Sequence, residues 1–297
     1  MDGRAVVLGG GGLSGVAWLT GVLSAFEAEG VLLAEADFVL GTSAGSVVAT
    51  QLVSGRKFSH LYHFLSSPHV PLRTALLDLY GLAPKPDPTV VTEMMEHVQR
   101  GMVSTEETRA QAGAAAMTAK TMPEPIWVTL LATYIHHHHW PGPALGITTV
   151  EAETGAFRVI READDVCIAR ACAASAAVPR FFPPVVIDGR HWIDGGTRSC
   201  TNADVAAGYG TVIVLVDHAP LEVGDGPLSR ATLDRELAEL RAGGANVVEL
   251  EPNAESVTAM GSGDQLNPAH IVPSAIAGRA QGAAEVERVR AAWHPSV

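Results

Sequence analysis

The sequence has few cysteines and few basic residues. Its three cysteines, Cys167, Cys172 and Cys200, show no C-x-x-C spacing and leave one thiol unpaired in any arrangement, so a reducing cytosol is the simplest assumption. Only 20 Lys and Arg stand against 32 Asp and Glu, which gives a formal net charge of −12. This charge repels nucleic-acid phosphates and anionic lipid headgroups. We therefore expect no nucleic-acid partner and at most transient contact with a membrane surface.

The sequence also lacks a convincing membrane span or leader. Residues 5–23 carry no charge and approach transmembrane length, but the run Gly9–Gly12 would break a helix there. The opening "MDGR" is a poor n-region for a signal peptide. No internal repeat or linker divides the chain. We predict one domain over residues 1–297 in a cytoplasmic protein, with the oligomeric state left open.

The first 55 residues predict alternating strands and helices. The apolar run Ala5–Leu8 is ended by glycines, as in a strand covered on both faces. Helical spacing follows over 15–29, with Gly30 as the stop, then a strand over 37–40 and a helix from 44 to about 54. This order is typical of the start of a parallel α/β sheet.

The rest of the chain predicts a helical block followed by the remaining strands. Residues 56–124 show no strand signal and include "TVVTEMMEHVQRG" and "STEETRAQAGAAAM", the second with Ser104 and Glu107 in capping-box spacing. Strands are expected at 126–132, 144–152, 156–161, 211–217 and in "NVVELEP", with a hairpin turn at Asp188-Gly189. Helices are expected at 164–177, in "SRATLDRELAELRAG" and at 274–293.

The segment "GTSAGS" carries the candidate nucleophile. It contains Gly41-x-Ser43-x-Gly45 between a predicted buried strand and a predicted helix, which is the context that the G-x-S-x-G turn requires. The helix N-terminus there would direct free N–H groups at developing negative charge. A simple helix-capping turn through Thr42 or Ser43 is the alternative interpretation.

The candidate base is an aspartate rather than a histidine. His191, His218 and His270 are the late histidines, and each fits a surface or packing role. Only one strand is predicted before the strand that delivers Ser43, too few for an ordinary α/β-hydrolase. Asp194 ends "HWIDGG", where two glycines allow a sharp turn and leave the carboxylate accessible. In a water-poor site Asp194 could take the Ser43 proton.

The glycine-rich loop allows two interpretations. Gly10-x-Gly12-x-x-Gly15 fits the dinucleotide pattern G-x-G-x-x-G, so a non-hydrolytic module that binds a nucleotide or phosphate is the alternative function. That site needs an acidic residue at the end of the second strand. Here the second strand ends in Ser43 instead, which favours an oxyanion hole made by the N–H groups of Gly10, Gly11 and Gly12.

Taken together, "GGGGLSG", "GTSAGS" and "IDGG" resemble the patatin-like phospholipase family, in particular its bacterial branch. The resemblance extends to "GVAWLTGVLSAF", "CAASAAVPRFFPP" and "DGGTRSCTNADVAAGY", over about residues 4–55 and 144–217. It implies a three-layer α/β/α fold with a mostly parallel central sheet and a helical insertion at about 56–124. It also implies a serine acyl hydrolase for lipid esters, with Ser43 as nucleophile, Asp194 as base and Ala44 as a further oxyanion donor.

Two departures from the family pattern limit the resemblance. Ser14 stands where many members carry Arg or Lys, so an anion contact from that position is missing. The block over 56–124 matches nothing in the pattern, which leaves chain-length preference open, and acyl transfer would use the same residues. Trp18, Phe181, Phe182 and the pair Met94-Met95 are candidates to line an acyl groove.

The histidine run at 136–139 is the remaining chemical feature. Adjacent imidazoles can bind a metal, but no carboxylate or cysteine lies close in sequence. A solvated loop before Trp140-Pro141 is the simpler interpretation. We expect no metal and no cofactor.

Overall fold

A mixed sheet with helices on both faces forms the centre of the computed structural model, which describes residues 2–67, 103–135, 137 and 139–294. The strands are β1 Arg4–Leu8, β2 Phe38–Gly41, β3 Leu145–Glu151, β4 Phe157–Arg161, β5 Val185–Ile187, β6 Arg190–Asp194, β7 Thr211–Leu215 and β8 Asn246–Leu250. Their order in the sheet is β5-β6-β3-β2-β1-β7-β8, and β4 pairs with β3. The pairs β1–β2, β1–β7, β2–β3 and β7–β8 are parallel.

Helices cover the two faces of the sheet. They are α1 Gly12–Ala28, α2 Ala44–Val53, α3 Phe58–Ser66, α4 Glu106–Thr118, α5 Glu124–Ile135, α6 Ile168–Ser175, α7 Arg230–Ala242, α8 Ala254–Met260 and α9 Ile271–Trp293. Alternate residues of the strands enter different cores. Val6 and Leu8 pack in the core that contains α1 and α2, whereas Ala5 and Val7 pack in the core that contains α7. This is the predicted three-layer α/β/α arrangement.

Strand β3 brings two other strands end to end. Gly41 of β2 pairs with Ile147, and Asp194 of β6 pairs with Thr149 two residues further along. Thr149 also pairs with β4, so β4 lies along the opposite edge of β3. Since β2 and β6 share one edge of β3, the turn after β2 and the turn after β6 meet. The sheet topology therefore places Ser43 beside Asp194.

The predicted strand over 126–132 is wrong. The segment lies within α5, and the side chains buried on it are those of Trp127, Leu131 and Ile135. Their spacing of four residues is that of one helix face, which a short apolar run conceals when it is read for strand composition alone.

Two further sequence expectations are corrected or fall outside the described residues. The N-cap of α4 is Thr105, which forms a capping box with Thr108, and Ser104 instead donates to the carbonyl oxygen of Thr197 at 2.8 Å. The helix predicted for "TVVTEMMEHVQRG", with Met94 and Met95, lies outside the described residues, as do His136 and His138. Within the described ranges, no helix combines the length and apolar character that a membrane crossing requires.

Candidate active site

Ser43 lies on a strained turn between β2 and α2. Its backbone has φ 51° and ψ −118°, a conformation that a non-glycine residue rarely adopts. A Cβ at Gly45 would lie 2.1 Å from the carbonyl oxygen of Leu8, and one at Gly41 would lie 2.5 Å from Cα of Ser46. The two glycines of the G-x-S-x-G pattern are therefore required by close backbone approach, which holds the turn in its strained form.

The backbone of Ser43 is hydrogen-bonded on both sides. Its N–H donates to Oγ of Ser175, the last residue of α6, at 2.9 Å. Its carbonyl oxygen accepts from Oγ of Ser46 at 2.6 Å. These bonds fix the orientation of the Ser43 side chain relative to the sheet. No sequence pattern points to Ser175, because its role depends on how α6 packs against the turn.

Asp194 ends β6, and the Ser43 side chain lies close enough to its carboxyl to lower its pKa. Its Oδ1 also accepts from the backbone N–H of Gly196 at 2.7 Å. Burial raises the pKa of Asp194 to about 7, and the nearby Ser43 side chain and the bond from Gly196 oppose this rise only in part. A carboxylate with a pKa in this range accepts a proton far more readily than an exposed aspartate does.

A polar network ties the serine turn to the aspartate turn. Thr148 donates from Oγ1 to Oγ1 of Thr42 at 2.9 Å. Asn202, itself in the left-handed region with φ 52°, donates from Nδ2 to Thr42 Oγ1 at 3.2 Å and to the carbonyl oxygen of Gly195 at 3.3 Å. Thr42 precedes Ser43 and Gly195 follows Asp194, so this network fixes the distance between the two turns. Sequence reasoning missed Thr148 and Asn202.

The glycine-rich loop lies against the serine turn. A Cβ at Gly10 would lie 2.9 Å from Cβ of Ser43, so glycine is needed for this approach. The N–H of Gly10 donates to the carbonyl oxygen of Cys200 at 2.8 Å, which contradicts the prediction that Gly10 is an oxyanion donor. The backbone N–H groups of Gly12 and Ala44 donate no hydrogen bond to any described residue, so both are available to a ligand.

Two helices begin at this site. Gly12 is the first residue of α1 and Ala44 is the first residue of α2. The backbone N–H groups in the first turn of a helix have no intrahelical acceptor and carry partial positive charge. The arrangement can stabilise a small anion held above Ser43.

The three candidate histidines do not join the site. His191 is bonded to Glu153, with 2.7 Å between Nδ1 and Oε1, and His270 lies 3.5 Å from Asp264. His218 is buried, which lowers its pKa to about 4. None of the three is a hydrogen-bond partner of Ser43 or Asp194 in the described part of the chain.

The candidate acyl-groove residues separate into core and boundary positions. Trp18 is fully buried and donates from Nε1 to Oε1 of Gln281 at 3.3 Å, so it belongs to the core and the prediction that it contacts an acyl chain is wrong. Phe182 is 5% exposed and stacks on Trp127, with ring centroids 4.0 Å apart. Phe181 is partly buried at the edge of the same core and stays a candidate.

Three solved structures are similar to the chain at low sequence identity. VipD from Legionella pneumophila has a TM-score of 0.46 and 12% identity, over 97% of this chain and 67% of its own. The type III effector ExoU has a TM-score of 0.40 and 19% identity, over 97% of this chain and 53% of its own. Human GIVD cytosolic phospholipase A2, in complex with methyl γ-linolenyl fluorophosphonate, has a TM-score of 0.42 and 10% identity, over 98% of this chain and 59% of its own. The chain thus spans little more than half the length of the last two.

The sequence comparisons differ in outcome. No curated protein matches the chain. The family model of patatin-like phospholipase matches residues 6–207, more than half of the chain, and this range includes the glycine-rich loop, Ser43 and Asp194. The chain belongs to the patatin-like phospholipase family.

Proposed function

We propose that the protein is a serine acyl hydrolase that cleaves carboxylic ester bonds of lipids. Ser43 is the nucleophile and Asp194 is its base. The observation that carries the proposal is the position of Ser43, on a strained turn, beside the carboxyl of a buried Asp194 whose pKa is raised to about 7. A serine that only caps a helix needs no such partner, and Ser43 makes no side-chain cap bond to α2.

The reaction follows from these two residues. Asp194 takes the hydroxyl proton as Oγ of Ser43 attacks the ester carbonyl carbon. When the tetrahedral intermediate collapses, the alcohol leaves with the proton from Asp194, and the acyl group stays on Ser43. Water then attacks the acyl-enzyme, Asp194 accepts a proton from it, and the second collapse returns that proton to Ser43 as the acid departs.

The oxyanion of each intermediate is held by backbone N–H groups. We assign this role to Gly11, Gly12 and Ala44, and no longer to Gly10. Support comes from the position of Gly12 and Ala44 at the N-termini of α1 and α2, two helices whose dipoles then act on the same oxygen. The donors are fixed before the substrate arrives, so little reorganisation is needed when charge develops.

A lipid ester is the substrate class that fits the family and the charge of the chain. A formal net charge of −12 disfavours attraction to anionic headgroups, so binding depends on apolar contact with an acyl chain. Phe181, at the edge of the core and close in sequence to α6, is the residue that we assign to that contact. Transfer of the acyl group to an alcohol instead of water would use the same residues.

Fluorophosphonate labelling tests the proposed nucleophile, because the probe modifies an activated serine and leaves a capping serine untouched. Wild-type protein is expected to be labelled, and Ser43→Ala is expected to lose all labelling. Ser54→Ala, at the other end of α2, is the matched control and retains it. Labelling that survives in Ser43→Ala would reject the assignment. No labelling of the wild type would favour the non-hydrolytic binding module.

A further inference from the structure

A second carboxyl group lies beneath the glycine-rich loop. Asp217 follows β7, which is paired with β1, so it stands next to the point where the loop leaves β1. Its side chain is fully buried. The proposed reaction does not use it.

The loop is built closely around this carboxyl. A Cβ at Gly9 would lie 2.8 Å from Oδ1 of Asp217, and a Cβ at Gly15 would lie 2.4 Å from Oδ2. A Cβ at Gly11 would lie 1.8 Å from the backbone oxygen of Asp217 and 2.9 Å from Cγ. Glycine is therefore needed at two positions of the loop and at Gly15, near the start of α1, because Asp217 occupies the space where side chains would be.

The carboxyl of Asp217 is also unusual in its hydrogen bonding within the described part of the chain. Neither Oδ1 nor Oδ2 makes a completed hydrogen bond with a described residue. Burial raises the pKa of Asp217 well above its usual value. The backbone N–H groups of Asp217 itself and of Gly11 point toward the carboxyl and oppose this rise, whereas the charge of Asp194 adds to it. A buried carboxyl in these surroundings favours its protonated, uncharged form.

We propose that Asp217 is a positioning residue for the glycine-rich loop. As an uncharged acid it holds the loop in place, and on ionisation it stops the loop from stabilising the oxyanion. This role rests on the proposed function. It differs from the role of Asp194, which must be ionised to accept the Ser43 proton.

The physical reason is competition for the same donors. An ionised Asp217 would attract the N–H of Gly11, which the ester oxyanion needs, and would place a negative charge beneath the site where the oxyanion forms. As an uncharged acid it fills the space inside the loop and leaves the N–H groups available. The loop is therefore active only while Asp217 keeps its proton.

Among the described residues, the titratable groups that act on Asp217 come from β6, from the segment with Cys200 and from the next position in the chain. Asp194 acts on it from the end of β6, and the buried thiol of Cys200 lies close enough to be influenced by both carboxyls. His218 is next in the chain, and burial together with the charge of Arg230 keeps it neutral at neutral pH. The first turn of α1 contains no acidic residue. Ionisation of Asp217 is thus the change that a rising pH produces inside the loop.

The test is the pH profile of fluorophosphonate labelling in the full chain. The wild-type rate should rise through about pH 7 as Asp194 ionises, and then fall about tenfold per pH unit once Asp217 ionises. Asp217→Asn keeps the shape of the side chain without the charge. We expect it to lose the alkaline fall and to keep the acid limb.

Two further variants complete the test. Asp217→Leu, which also cannot ionise, should lose the alkaline fall as well and serves if the asparagine variant does not fold. Glu236→Gln removes another buried carboxyl, one that is satisfied by Thr201 and Ala203, and should keep the wild-type alkaline fall.

The outcomes separate this role from the proposed function. A labelled wild type without an alkaline fall, or an alkaline fall that persists in Asp217→Asn or Asp217→Leu, overturns the role of Asp217 and leaves the serine hydrolase standing. A wild type that is unlabelled at every pH overturns both. Thermal unfolding gives an independent check, since a group whose folded pKa is raised loses stability as pH rises toward that pKa. Asp217→Asn should therefore gain stability over the wild type as pH rises, and a constant difference would count against the proposal.

Discussion

Strands β2 and β7 lie on either side of β1 and end at the same edge of the sheet, but the residues that follow them are held in different ways. After β2, the backbone of Ser43 is bonded to Ser175 and Ser46, and its side chain lies beside the carboxyl of Asp194. After β7, the buried carboxyl of Asp217 completes no hydrogen bond with a described residue.

The difference shows two ways of placing a polar group inside a protein. A group with partners is fixed by geometry, because moving it would leave buried donors or acceptors unpaired. A group without partners is governed by the cost of burying its charge, so its state depends on pH. The turn after β2 therefore holds the nucleophile Ser43 in a fixed position. The carboxyl of Asp217, after β7, supports the glycine-rich loop in a way that depends on its protonation state.

The largest effect on the β2 side is expected from Asp194→Asn. The amide cannot accept the Ser43 proton, so kcat for short p-nitrophenyl esters should fall roughly 10³-fold or more. The fold should persist, because the amide oxygen can still accept from Gly196. Asp164→Asn, a part-exposed aspartate bonded to Arg158, is the control and should keep wild-type kcat. If alanine at His218 or His270 removed activity while Asp194→Asn did not, a histidine would be the base.

A smaller loss of activity is expected from Gly11→Ala, in the glycine-rich loop between β1 and α1, where the loop contacts Asp217. The new Cβ would overlap the backbone oxygen of Asp217, at 1.8 Å, so the loop must move away from β7. Displacing one oxyanion donor should lower kcat about 10²-fold with little change in KM. Gly243→Ala is the control, since its Cβ would meet its nearest neighbour at 3.3 Å, and it should leave both constants near wild type. A rise in KM alone would mean that the loop binds substrate rather than the transition state.

The smallest effect should come from Ser175→Ala, which removes the acceptor for the Ser43 N–H. The turn loses one of its supports, and kcat should fall about tenfold while the free energy of unfolding falls by about 1 kcal/mol. Thr20→Val removes another buried hydroxyl, one bonded to Val16 at 2.7 Å, and should cost similar stability. An equal loss of kcat in both variants would show that Ser175 acts only through stability.

The strands and turns near the site could be predicted because their signals are local. Glycines that end an apolar run, the G-x-S-x-G spacing and the Asp188-Gly189 hairpin each state a backbone requirement within a few residues. The sequence predicts a strand over 126–132, inside the helix Glu124–Ile135, because the apolar run there is short and begins with Ile126, Trp127 and Val128, which favour strands. The four-residue spacing of its buried side chains, Trp127, Leu131 and Ile135, is the feature that indicates a helix.

The supports of the site could not be predicted, because they depend on distant segments. Ser175 is separated from Ser43 by 132 positions, and Asn202 from Thr42 by 160. Gly10 looked like a donor in the sequence, but its N–H is taken by Cys200, which the fold brings from the other half of the chain. Trp18 looked like a lipid contact, but packing against α9 buries it.

Local sequence patterns are enough to identify the residue types at the strand ends, because the glycines are required by the backbone turns and the serine and aspartate by the chemistry. Which of these residues meet depends on the folded sheet. The tertiary structure joined β2 and β6 along one edge of β3, which paired Ser43 with Asp194, and it enclosed Asp217 in the glycine-rich loop. The physical reason is that hydrogen-bond partners and burial belong to positions in space, and residues far apart in the chain supply them only once the sheet has formed.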